Sequence, residues 1–68
     1  MKNKLKEIRE QNSPTQEQLA QKVNLSRQSI ISIEKGYYTP TTLLTLKLAA
    51  VLHISTEDLF KLEKSDWQ

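Results

Sequence analysis

Residues 15 to 36, TQEQLAQKVNLSRQSIISIEKG, carry the start and stop signals of two short helices with only a tight turn between them. Thr15 is placed to cap the first helix. Its hydroxyl oxygen can accept an orphan backbone N–H, and Gln18, three residues on, completes a capping box. Leu19, Ala20 and Val23 fall on one helical face. Asn24 follows the last periodic position, and after Gly it is the residue best able to adopt the left-handed backbone that ends a helix. Ser26 is a second N-cap, Ile30 and Ile33 form the inward face of the next helix, and Gly36 stops it. The second helix then presents Arg27, Gln28 and Ser32 outward.

A helix of about eight residues, a turn of three or four and a helix of about ten is the helix-turn-helix spacing. The combined pattern TQEQLAxKVxLSRQSIxxIEKG, followed by YxP, resembles the lambda-repressor-like, Cro-type (XRE) helix-turn-helix family, from about Leu5 to about Phe60. The resemblance implies an all-α fold, a compact five-helix DNA-binding domain. It also implies sequence-specific DNA binding, usually as a dimer. Arg9 matches the family position whose arginine pairs with a glutamate late in the recognition helix, here Glu34. Gln16 matches the glutamine that grips backbone phosphate and braces the recognition helix. Its place at the start of the second helix agrees, because helix N-termini offer N–H groups and a positive dipole end to phosphate.

The chemistry of the recognition helix, about Arg27 to Lys35, supports base reading. Arginine can bond guanine O6 and N7 together, and glutamine can do the same to adenine N6 and N7. Arg27 and Gln28 stand at the end that enters the major groove in this motif, and Ser32 lies one turn on from Gln28. Ser26 and Ser29 are expected to donate to phosphate, and Lys35 to contact phosphate while also suiting the helix C-terminus. Ile31 lies where the family is usually polar. It either meets a thymine methyl or sits half-buried at the helix edge. The following loop contacts phosphates in the family, and Tyr37 and Tyr38 are placed to offer hydroxyls there, against the plainer reading of one packed ring and one exposed ring.

The flanking segments read as the rest of the fold. Lys2 to Gln11 is rich in good helix formers, with Leu5 and Ile8 as a buried stripe that Met1 can join. Pro14 ends it, and Asn12 or Ser13 replaces the family's glycine there. Thr41, after Pro40, caps a fourth helix over Thr42 to Leu52. Leu46, Leu48, Ala49 and Leu52 are its expected core positions, and Leu43, Leu44, Ala50 and Val51 leave it little polar surface. Thr42 replaces a family leucine, with Leu43 as the compensating residue. His53 stands where the family has its C-terminal glycine, a surface residue in a strained cap with no second ligand for a metal. Ile54 anchors the connection, and Ser55 with Asp58 starts a short fifth helix through Leu59 and Phe60. Phe60 and Leu62 are expected to pack, Trp67 is left open between a dimer contact and a frayed end, and the domain is read as residues 1–62 with a polar tail over 63–68.

Composition narrows function further. A chain of 68 residues is one small domain, without cysteines to staple it. Ten basic against eight acidic side chains give a net charge of +2, with the basic excess in the first ten residues. That favours a polyanion only mildly and argues against an indiscriminate nucleic-acid coat. Met1 leads straight into charged residues, with no signal peptide and no apolar run of membrane-spanning length, so a cytoplasmic location is expected. One histidine, no cysteine and no glycine-rich phosphate loop give an enzyme no support, and no cofactor is expected. So short a chain also leaves no room for a ligand-binding domain. The resulting expectation is a DNA-binding transcriptional regulator, a repressor, that meets double-stranded DNA as a homodimer on a pseudo-palindrome. The alternative is an antitoxin-like or anti-repressor module whose apolar fourth and fifth helices meet a protein partner.

Overall fold

Local capping chemistry sets most of the helix boundaries in the computed structural model, which describes residues 1–67. The order is β1 (Lys2–Asn3), α1 (Leu5–Gln11), α2 (Gln16–Lys22), α3 (Arg27–Glu34), α4 (Thr42–Leu52), α5 (Thr56–Leu59), β2 (Phe60–Lys61) and a 3-10 turn (Lys64–Trp67). Thr15, Ser26, Thr41 and Ser55 each accept a backbone N–H through the side chain at the start of a helix. At Thr15 the box is complete, with the Gln18 N–H donating to Thr15 Oγ1 and the Thr15 N–H to Gln18 Oε1.

Three helices end in one motif. Asn24, Gly36 and His53 all have positive φ, and the residue after each donates its N–H back into the last turn. These bonds run from Leu25 to the carbonyl of Ala20, from Tyr37 to Ser32 and from Ile54 to Ala49. Leu25 and Ile54 then drop onto the core from the two exits. Ser13, also at positive φ, ends α1 without such a bond, because the next residue, Pro14, has no N–H. Arg9 instead donates through Nη1 to the Pro14 carbonyl at 3.1 Å.

One core holds the helices together. Leu5, Leu19, Ile30, Ile33, Leu48 and Leu59 are fully buried, with Ala20, Val23, Leu44, Ala49 and Leu52 beside them. The inward face of α4 therefore differs from the sequence expectation. Leu44 is buried, whereas Leu46 is 55% exposed, and Leu43, read as compensating for Thr42, is 64% exposed. The buried stripe repeats every fourth residue through Leu44, Leu48 and Leu52, and Leu46 lies about 200° around the helix from Leu44.

The ends of the chain depart furthest from the sequence reading. Lys2 and Asn3 do not extend α1; they pair antiparallel with Lys61 and Phe60, which adds a two-stranded sheet to the five helices. Tertiary hydrogen bonds override helix propensity here. The Lys4 N–H donates to the Leu59 carbonyl, and Asn3 Oδ1 accepts from the Leu5 N–H at 3.2 Å. Phe60 accordingly lies in β2 rather than α5 and leans on the core, while Leu62, also expected to pack, is 61% exposed. In the segment read as a polar tail, Lys64 to Trp67 form the 3-10 turn, with Asp66 bonded to the Met1 ammonium; Gln68 lies outside the described residues. Trp67 is 77% exposed.

Candidate nucleic-acid interface

The polar face of α3 is held from behind by apolar packing and from one side by a charged network. Ile30 and Ile33 anchor the helix in the core, which leaves Arg27 and Gln28 exposed on its first turn and Ser32 half-buried one turn later. The N-cap orders that first turn. The Ser29 N–H donates to Ser26 Oγ at 3.2 Å, and the two hydroxyls lie 3.0 Å apart. One hydroxyl proton of the pair is thereby engaged, and the other remains free to donate outward.

Two shallow depressions flank α3, so the helix stands as a ridge between them. On the α2 side, Arg27 shares a depression with Arg9, Thr15, Gln16 and Glu17. On the loop side, Gln28 shares one with Ser26, Ser29, Ser32 and Tyr38. The adjacent residues Arg27 and Gln28 thus line different depressions, a separation that the 100° step of a helix allows. Ile31 is half-buried. Tyr37 is 82% exposed and Tyr38 45% exposed, and only Tyr38 lines the depression beside Gln28.

Behind this face, Glu34 of α3 gathers groups from two other helices. Arg9 Nε of α1 lies 2.6 Å from Glu34 Oε2, and Arg9 Nη2 lies 3.4 Å from Oε1. Gln16 Nε2 of α2 donates to the same Oε1 at 3.1 Å. Both charged side chains are largely withdrawn from solvent, Arg9 at 11% exposure and Glu34 at 3%. A buried carboxylate of this kind is tolerated because its oxygens are matched by charged and neutral donors. The Gln16 side chain, expected from the family resemblance to grip backbone phosphate, is half-buried with its nitrogen turned toward Glu34.

Lys35 sits apart from the two flanking depressions. It follows α3 as an exposed C-cap and lines a third depression with Lys2, Lys4 and Lys61, in which Glu7, Glu34 and Glu63 also take part. Sequence reasoning did not assemble this lysine group. Its signal was the basic excess of the first ten residues, but Lys61 joins only because β2 pairs with β1. The cross-strand partners Lys2 and Lys61 are like charges directly opposite, a mildly unfavourable arrangement.

The arrangement offers hydrogen-bond donors on a convex helix. Among the described residues, no helix is long and apolar enough to cross a membrane. The helix-turn-helix family model matches residues 5–59. An uncharacterized HTH-type transcriptional regulator of Methanocaldococcus jannaschii is 47% identical over 66 residues, covering 97% of this chain and all 100% of the relative. The uncharacterized HTH-type transcriptional regulator YgzD of Bacillus subtilis is 42% identical over 66 residues, with the same coverage of 97% and 100%. Among solved structures, the restriction-modification controller protein C.AhdI of Aeromonas hydrophila superposes with a TM-score of 0.76 at 34% identity, over 82% of this chain and 81% of that one.

Proposed function

The chain belongs to the helix-turn-helix family, and from that membership we propose a cytoplasmic transcriptional repressor that binds a pseudo-palindromic operator as a homodimer. Arg27, Gln28 and Ser32 read base edges in the major groove. Gln16, Ser26, Ser29, Lys35, Tyr37 and Tyr38 grip the sugar-phosphate backbone and set register. The observation that carries this reading is the pairing of two exposed donors, Arg27 and Gln28, on the first turn of a helix whose other face is locked in the core.

The homodimer rests on α4. Leu43, Leu46 and Ala50 are exposed and spaced to form one apolar stripe on the side away from the core. Such a stripe gains by meeting another apolar surface, and a second copy supplies its equal. The same stripe would fit a foreign protein, but membership in a family of HTH-type regulators favours the symmetric DNA-binding assembly. Selection of bound sequences from a random duplex pool at near-physiological salt tests the whole reading. An inverted repeat with half-sites about ten base pairs apart is the expected result. Weak, salt-sensitive binding without enrichment would overturn it.

A further inference from the structure

Four exposed lysines from three separate stretches of the chain meet at the C-terminal end of α3, where Lys2, Lys4, Lys35 and Lys61 line one depression. The backbone holds them there. Lys2 stands opposite Lys61 in the two-stranded sheet, and the Lys4 N–H donates to the Leu59 carbonyl at 2.9 Å. Asn3 Nδ2 then bonds the first strand to the Ile33 carbonyl of α3. Among the described residues none of the four lysines makes an ion pair. The acids nearby are largely matched by other cations. Glu34 is paired with Arg9, and Glu63 shares the Met1 ammonium with Asp66. Counting Glu7 and the one surplus acid at Met1, the lysines keep an excess of two positive charges.

We propose that this lysine group is a further DNA-backbone surface: Lys2, Lys4 and Lys61 join Lys35 in neutralising phosphates beside the end of α3 away from Arg27 and Gln28. This rests on the reading of α3 as the groove-entering helix and of Lys35 as a phosphate contact. The dimensions agree. The eight residues of α3 span about 12 Å, close to the width of the major groove, so a helix whose start reads bases brings its other end toward a bordering strand. Lysine suits such a role, because a point charge on a flexible stem needs no exact phosphate geometry. The contribution is independent of base sequence. It also opposes the fold. Lys2 against Lys61 is a mildly unfavourable pair, so neutralising both relieves the sheet while it weakens binding, two opposite signs that a merely structural role does not produce.

The test compares two full-length variants that lose the same charge. Lys2→Gln/Lys61→Gln empties the depression of two cations, and Lys6→Gln/Lys22→Gln removes two exposed lysines that do not line it. Affinity for the selected operator and for a shuffled duplex of equal length is measured over a salt series. The first variant lowers the salt slope by about 2, at about 0.9 per phosphate, and does so on both duplexes. Its melting temperature is equal to that of the parent or higher. The second variant keeps the parent's slope, and so does Lys2→Arg/Lys61→Arg, which retains the charge. A slope that falls no further in the first variant than in the second, with operator binding by the unaltered chain intact, overturns the inference alone and points the lysines at an acidic protein surface instead. A loss confined to the selected operator also overturns it. An unaltered chain that binds no duplex overturns the DNA reading and the inference together.

Discussion

Asn3 Nδ2 donates to the carbonyl of Ile33 at 3.0 Å, so a residue of the first strand is bonded to the last turn of α3. The same side chain accepts from the Leu5 N–H through Oδ1. One amide thus adds a second donor to the Ile33 carbonyl, which already accepts from the Gly36 N–H, and satisfies an orphan N–H at the start of α1. Asn3→Ala should cost about 1–2 kcal/mol, the sum expected for a lost cap and a lost side-chain bond. Urea unfolding of the two proteins measures it, and an unchanged midpoint would mean that neither bond matters in solution.

Arg9→Met alone strands the Glu34 carboxylate, which is 3% exposed, with Gln16 as its one remaining donor. Breaking a buried pair in this way costs about 3–5 kcal/mol, a large share of the stability of so small a domain. Arg9→Met/Glu34→Leu should recover most of that loss. Denaturant midpoints of the single and double variants decide the matter. A single variant as stable as the parent would show that solvent reaches Glu34 freely.

His53 ends α4 at φ 57° and ψ 45°, a left-handed backbone that costs a residue with a Cβ about 1–2 kcal/mol relative to glycine. Its side chain is exposed. His53→Gly should therefore raise stability by about 1 kcal/mol, less whatever glycine adds to the entropy of the unfolded chain. A higher melting temperature with unchanged DNA affinity is the expected outcome of calorimetry and titration.

On the selected operator, Arg27→Ala and Gln28→Ala should each cost about 1–3 kcal/mol of binding and relax preference at different base pairs, since the two side chains line different depressions beside α3. Lys35→Ala should weaken all sequences alike and lower the salt slope by about 1. Binding isotherms over a salt series distinguish the two behaviours. Undiminished affinity in Arg27→Ala would remove that residue from the interface.

The 3-10 turn over Lys64–Trp67 should undock at both extremes of pH. The Met1 ammonium lies 3.1 Å from Asp66 and 3.2 Å from Glu63. Hydrogen bonding to Asp66, and then to Glu63, raises its pKa from the ordinary 8.0. Its contribution is complete below 8.0 and is lost as pH climbs through the raised value. The Asp66 carboxyl is lowered from 3.8, first by the Glu63 backbone N–H and next by the ammonium. Its contribution is complete above 3.8 and is lost as pH falls through the lowered value. Docking is thus strongest between 3.8 and 8.0. Backbone resonances of Glu63 to Asp66 followed against pH should plateau in that window, and a monotonic drift across it would contradict the ion pairs.

What the sequence determined by itself was whatever a few neighbouring residues decide. The caps at Thr15, Ser26, Thr41 and Ser55, the left-handed exits at Asn24, Gly36 and His53, and the inward positions Leu19, Ile30 and Ile33 follow from local hydrogen bonding and a helical period. Such chemistry is written in spacings of three to five residues, so the tight turn and the exposed face of α3 could be read directly. The choice of Leu44 over Leu46 in α4 could not, because a helix apolar on both faces carries too weak a periodic signal to orient itself, and only its packing partners break the tie. Nor could the pairing of Lys2–Asn3 with Phe60–Lys61, where helix-forming residues gave way to hydrogen-bond partners from the opposite end of the chain. The inward turn of Gln16 belongs to the same class. An outward side chain and one bonded to Glu34 look alike in sequence, and the buried carboxylate, which needs donors once it leaves water, decides between them only after the helices have packed.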